Sequence, residues 1–109
     1  MNSYVFIESR DPFESRDTEF IVETATTLKK SDNEVIIYLV QNGVLAVRQK
    51  AVGSHLARLA KEGITLMADD FSLRERGIVA TEMISGVQES NVAELIEVLV
   101  RNNTKAIWH

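Results

Sequence analysis

The stretch that decides the fold is residues 63–78, GITLMADDFSLRERGI. Residues 64–68 form a short apolar run that predicts a buried strand. Two carboxylates, Asp69 and Asp70, follow it directly. In an open parallel sheet, ligands and chemistry collect where the strands end and the helices begin. Asp69 and Asp70 are therefore expected at the functional rim of a sheet of that kind.

The second half of the same stretch predicts a short helix. The hydroxyl of Ser72 can cap its first turn. Gly77 is placed to end it, since glycine adopts a left-handed backbone at little steric cost. The stretch is thus a strand, an acidic turn and a helix in succession.

The rest of the chain repeats this alternation. Further strands are predicted at residues 4–7, 35–40, 81–87 and 106–108. Three further helices are predicted. The first covers residues 18–30 and is capped by Asp17. The second follows a cap at Ser54 and ends at Gly63, and the third covers residues 92–101 and is capped by Asn91. Residues 44–52 fit no period clearly. The alternation predicts an α/β fold, a three-layer α/β/α domain over residues 1–109 with a mainly parallel five-stranded sheet.

Composition narrows the classes of function. The net charge of -4 argues against nucleic acid, whose phosphates are bound by clustered Lys and Arg. No apolar run approaches the roughly 20 residues of a membrane helix, and no signal peptide is evident. The chain has no cysteine, which excludes disulfides, thiolate metal sites and thiol catalysis. We expect a cytoplasmic protein.

The ending Leu-Arg-x-Arg-Gly-Ile at residues 73–78, after an apolar strand and a small-residue turn, resembles the DsrE/DsrF/DsrH family of sulfur-relay proteins. In active members, a cysteine eight residues before that glycine carries a persulfide. Counting back eight residues from Gly77 gives Asp69. The resemblance therefore implies a member without the persulfide chemistry: a structural or interaction subunit with no catalytic residue and no cofactor.

The resemblance also implies partners. Family members assemble as homotrimers, homohexamers or mixed complexes, here with cysteine-bearing paralogues. The turn that contains Asn42 and Gly43 resembles the family's turn after the second strand, near the contacts between subunits. Because residues 44–52 lack a clear period, we expect Val44, Leu45 and Val47 to contact a neighbouring subunit.

A second hypothesis is a domain that binds a small molecule or an ion, with an enzyme as one form of it. It would use Asp69 with Arg10 or Glu82 at the rim, and Asp69 with Asp70 could act as a metal or acid/base pair. Against this, turn aspartates are common, and adjacent residues of an extended chain point in opposite directions. A flavodoxin-like cofactor binder has less support, since the loop after Ile7 lacks a Ser/Thr/Gly-rich phosphate cradle.

Overall fold

The structure is a computed structural model that describes residues 2–11, 18–49 and 55–109. The predicted caps Asp17 and Ser54 and residues 50–52 lie outside the described residues. In the described part of the chain, no helix is both long and apolar enough to cross a membrane.

Within these ranges, five parallel strands form one sheet in the order β4-β3-β2-β1-β5. The strands are β1 (Ser3–Glu8), β2 (Glu34–Leu39), β3 (Thr65–Asp69), β4 (Val87–Ser90) and β5 (Thr104–Trp108). The prediction of a parallel five-stranded α/β sheet is confirmed.

Four α-helices and two 3-10 helices of the described chain connect the strands. The α-helices are α1 (Thr18–Lys30), α2 (Leu56–Lys61), α3 (Asp70–Glu75) and α4 (Val92–Leu99). The 3-10 helices are Gln41–Val47 and Ala80–Glu82. The side chain of Asn91 accepts a hydrogen bond from the backbone of Glu94, as the predicted capping box requires.

The two faces of the sheet are covered unequally. One face, which includes Phe6, Ile37 and Leu66, packs under α1, α2, α3 and the first 3-10 helix, and we call it the covered face. The other face, which includes Val5 and Ile36, packs under α4 alone among the described helices, and we call it the α4 face. The larger core cluster belongs to the covered face.

The strand predicted at residues 81–87 is wrong in position. Met83 makes only an isolated bridge with Arg48, and β4 begins after Gly86. Gly86 has a φ of 96°, a left-handed turn conformation that separates the two segments. Leu66 pairs with Val87, so β4 takes its register from β3 beyond that turn.

The first 3-10 helix explains the missing period of residues 44–47. Its three-residue turn does not match the helical period of 3.6. Val44 and Val47 are fully buried in the core of this chain, and Leu45 is half-buried against that core. The predicted contact with a neighbouring subunit through Val44 and Val47 does not fit this placement, because their side chains already pack within the subunit.

Candidate functional site

Asp69 occupies the end of β3 and is the N-cap of α3. Only 3% of the residue is exposed. Its Oδ2 atom accepts hydrogen bonds from the Ser72 backbone nitrogen at 2.9 Å and from the Ser72 hydroxyl at 2.8 Å. Asp69, and not Ser72 as predicted, therefore caps this helix, which begins two residues earlier than the sequence suggested.

The other oxygen of this carboxylate is also occupied. The hydroxyl of Tyr38, a fully buried residue of β2, donates a hydrogen bond to Asp69 Oδ1 at 2.7 Å. Tyr38 had no predicted role at the site, because its contact depends on the register of β2 against β3, in which Tyr38 lies opposite Met67. Its only local signal is a polar hydroxyl inside the otherwise apolar run of residues 35–40.

The protonation states of the pair follow from these contacts. Burial acts to raise the pKa of Asp69, but the hydrogen bonds from Tyr38 and Ser72, with the charge of Arg74, hold the pKa below its ordinary value. Burial raises the pKa of the Tyr38 hydroxyl, and the hydrogen bond to Asp69 and nearby carboxylates raise it further. The site is thus a charged carboxylate with a neutral phenol at neutral pH.

The turn after β2 is tied to α3 beside this carboxylate. The Gln41 backbone nitrogen donates to the Ser72 hydroxyl oxygen at 2.9 Å. The Arg76 guanidinium donates to Asn42 Oδ1 at 3.0 and 3.2 Å. Asn42, a predicted binding residue, therefore holds Arg76 and links two loops of the rim.

Gly43 has a separate reason to be glycine. A Cβ atom at this position would lie 2.2 Å from the backbone oxygen of Glu8. The chain after β2 passes directly against the end of β1, and a side chain does not fit between them. Gly43, also predicted as a binding residue, therefore allows the backbone after β2 to pack against the end of β1.

Asp70 does not join Asp69 around a common ligand. Its Oδ1 atom accepts from the Phe71 backbone nitrogen, and its Oδ2 atom lies 3.5 Å from Arg74 Nη1. These contacts differ from those of Asp69, as expected for neighbours that point in different directions. Among the described residues, no three His, Asp or Glu side chains are grouped to hold a metal ion.

A small cavity of about 50 Å³ lies at the ends of β1 and β2 on the covered face. Glu8, Arg10 and His55 are its charged or ionisable lining residues, and most of the other lining residues are apolar. Asp69 does not line it, so the predicted pairing of Arg10 with Asp69 at one site is not supported by the cavity.

Glu8 is a buried carboxylate at the end of β1. Its Oε1 atom accepts from the Arg10 backbone nitrogen at 2.9 Å, and its Oε2 atom lies 2.8 Å from His109 Nδ1. Glu8 and His109 stand at opposite ends of the sequence. The pairing of β1 with β5 brings the two residues together. The sequence around either residue gives no signal of this contact.

A five-stranded parallel sheet in this order, with helices on both faces, defines a three-layer α/β/α protein. The sequence profile of the DsrE/DsrF-like family matches residues 2–104, and this chain belongs to that family. No curated protein matches the sequence.

Two solved structures share the fold over their whole length. The ychN protein from E. coli is 19% identical, with a TM-score of 0.87 and 100% of each chain covered. The protein MTH1491 from Methanobacterium thermoautotrophicum, described as of unknown function, is 18% identical, with a TM-score of 0.83 and 100% of each chain covered. At these identities the likeness concerns the fold alone.

Proposed function

We propose that this chain is a non-catalytic subunit of the DsrE/DsrF-like family that acts through assembly in cytoplasmic sulfur transfer. Its partners would be copies of itself, in a trimer or hexamer, or cysteine-bearing relatives. One observation carries the proposal. Asp69, at the position of the family's cysteine, is buried and has both carboxylate oxygens occupied by Tyr38 and Ser72.

The chemistry of the two side chains supports the same conclusion. A sulfane sulfur is carried by a thiolate, whose sulfur attacks the donor and forms a new sulfur–sulfur bond. A carboxylate forms no such bond. Asp69 instead caps α3 and anchors Tyr38, so this part of the family's site has a structural role here.

The test mixes this chain with a cysteine-bearing family member that has been loaded with a persulfide. We expect a stable complex by light scattering and an altered rate of sulfur release from the relative. We also expect no sulfur on this chain by intact-mass measurement. A chain that neither self-associates nor binds any such relative at about 50 μM, well above the Kd of a stable assembly, would contradict the proposal.

A gain-of-function variant examines the remaining pocket. Asp69→Cys restores a thiol at the end of β3, and an exposed cysteine from Thr81→Cys is the matched control. Both are incubated with inorganic polysulfide, from which a thiolate takes one sulfur and releases a shorter polysulfide. A mass gain of one sulfur on Thr81→Cys alone would indicate that the buried position no longer admits a donor.

The cavity beside Glu8 favours a second candidate, a binding site for a small molecule. The test is a thermal shift against divalent cations and small anionic metabolites. A ligand at a hundred times its Kd stabilises the folded state by about 2.7 kcal/mol. Ala46 lines the cavity, so Ala46→Leu should fill it and abolish any shift that arises there. No shift with any compound in the wild type would argue against this candidate.

A further inference from the structure

β5 is an edge strand that pairs with β1 alone among the described strands, and exposed apolar side chains lie beside it. Trp108, the single tryptophan of the chain, is 64% exposed. Three large apolar residues of α4 or the turn after it are also more than half exposed: Val92, Ile96 and Val100. A helix and a strand thus both present apolar surface to solvent.

The α4 residues face the strand that carries Trp108. Val92, Ile96 and Val100 are spaced by four and share one flank of the helix. The helix crosses from β4 at one edge to β5 at the other, and in a right-handed crossover this flank turns toward β5. Glu94, on the other flank, is close enough to Tyr38 of β2 to affect its pKa, which agrees with this orientation.

The side chains of β5 complete the same surface. Ala106 pairs with Val5 and Trp108 pairs with Ile7 in the parallel register of β1 and β5. Paired residues of neighbouring strands point to the same face of a sheet. Since Val5 and Ile7 belong to the α4 face, Ala106 and Trp108 also point to that face, beside the exposed flank of α4.

The backbone of β5 leaves alternate groups free to pair outward. The Ser3 nitrogen donates to the Asn103 oxygen, and the His109 nitrogen donates to the Ile7 oxygen, so odd-numbered residues of β5 face β1. The even-numbered residues direct their backbone groups to the outer edge: Thr104, Ala106 and Trp108. These three positions are symmetric about Ala106.

We propose that β5 and the exposed flank of α4 form a twofold interface with a second copy of this chain. The two β5 strands would pair antiparallel with the two Ala106 residues opposite each other. Each Thr104 then lies opposite the Trp108 of the other copy, and all three outward-facing residues of each strand find partners. The interface rests on the self-assembly proposed above: it would join two trimers into the hexamer, whereas a trimer alone would not contain it.

Features of the edge favour a second copy as the occupant. A free strand edge is extended most directly by another strand, and β5 carries no proline or bulge and one lysine to discourage pairing. The small side chain of Ala106 lets the two strands approach at the symmetry axis. In the antiparallel pairing Lys105 lies opposite Ile107, so no like charges are directly opposed.

The exposed apolar area is large enough to form the centre of a symmetric contact. The four apolar side chains expose on the order of 400 Å², within the range of patches that are often functional on single subunits. A standard interface buries about 800 Å² on each partner. The four side chains would therefore form about half of such an interface, and the outer backbone of β5 would be buried with them when the strands pair.

Two variants test this surface independently. Ala106→Pro removes an outward-facing N–H and so blocks strand pairing, while the bonds from β5 to β1 stay in place. Ile96→Lys places a charge on the exposed flank of α4. Val79→Lys is the matched control, because Val79 is 54% exposed against 52% for Ile96 and lies outside the proposed contact. The mass of each protein is measured by light scattering at about 50 μM, with far-UV circular dichroism as the check on folding.

We expect both test variants to halve the particle mass and the control to keep the mass of the wild type. Trp108 fluorescence supplies a second measurement: its emission should shift to the red on dilution of the wild type and stay constant for Ala106→Pro. A wild-type oligomer that keeps its mass in both folded variants would overturn this interface and leave the proposed assembly intact. A trimeric wild type would overturn the interface and leave the self-assembly intact, and a monomeric wild type would overturn both.

Discussion

The covered face and the α4 face of the sheet differ in what holds them. Three α-helices and a 3-10 helix bury the covered face in one large cluster. One eight-residue helix of the described chain covers the other face, where a buried cluster of Val5, Ile7, Ile36 and Val98 lies beside exposed Trp108. The difference indicates that the subunit obtains most of its stability from the covered face. The α4 face contributes less to the fold and offers more surface to a partner.

Asp69 belongs to the thinly covered α4 face and is nevertheless buried. In the sheet register Asp69 pairs with Ser90 of β4. Its neighbour Ala68 points to the covered face. The burial of Asp69 depends on polar contacts with Tyr38 and Ser72 and not on a thick apolar layer. The comparison of the two faces is therefore also a comparison between apolar packing and a local hydrogen-bond network.

The largest expected effect comes from placing a charge on each face. Ile37→Asp puts an unpaired carboxylate into the covered core, which costs several kcal/mol, comparable to the whole stability of many domains. Val92→Asp changes an exposed residue in the first turn of α4, where a negative charge suits the helix dipole, and should alter the subunit's stability by less than about 0.5 kcal/mol. Thermal melting by circular dichroism distinguishes them. A folded Ile37→Asp variant with wild-type melting would contradict the conclusion that the covered face supplies most of the stability.

An intermediate effect is expected from Tyr38→Phe. The change leaves Asp69 Oδ1 without its donor in a buried position, which should lower the free energy of unfolding by about 1–3 kcal/mol. The pKa of Asp69 should also rise, because a hydrogen bond to its charged form is lost. Urea denaturation measures the first and a carboxyl NMR titration measures the second.

Tyr4→Phe is the control for that experiment. Tyr4 is half-buried, its side chain lies on the covered face, and the Lys105 ammonium lies 6.0 Å from its ring centroid. Removal of its hydroxyl should change stability by no more than about 0.5 kcal/mol. Equal losses of unfolding free energy in the two variants would show that the hydrogen bond from Tyr38 to Asp69 does not stabilise the fold.

The helices and strands whose signals lie within one short stretch of sequence could be predicted from the sequence. The predicted bounds of α1 are those observed, since Ile21 and Ala25 mark one buried face. The Asn91 cap and the alternation that implies a parallel sheet also carry local signals. The position of Asp69 followed from counting along one stretch.

The side-chain contacts of the candidate site could not be predicted, because they join distant parts of the chain. The bond between Tyr38 and Asp69 joins residues 31 positions apart, and the contact between Glu8 and His109 joins residues 101 positions apart. Both require the strand order and register, which hydrophobic patterning does not specify. The burial of Val44 was missed for another reason, because a 3-10 helix imposes a different period from the one sought.

A smaller effect than that of Tyr38→Phe is expected from Asp69→Asn, and its dependence on pH tests what the charge of this carboxylate contributes. Asparagine caps a helix about as well as aspartate, and its amide can donate to the Tyr38 oxygen, so the loss at pH 7 should be under about 1 kcal/mol. The pKa of Asp69 is lowered in the folded state, so the charged carboxylate stabilises the fold above its unfolded pKa of about 3.9. That contribution is lost as the pH falls from this value through the lower folded pKa.

The difference between wild type and Asp69→Asn should therefore be constant from pH 5 to pH 7, a range of about one unit or more above that unfolded pKa, and should shrink below it. Urea denaturation of both proteins across this range makes the measurement, with Asp70→Asn as the control, because Asp70 contacts Arg74 near the surface. A difference that stays the same down to about pH 2 would mean that the charge of Asp69 does not stabilise the fold. A loss of several kcal/mol at pH 7 would mean that the site requires a carboxylate specifically, and its role could not be reduced to capping α3 and holding Tyr38.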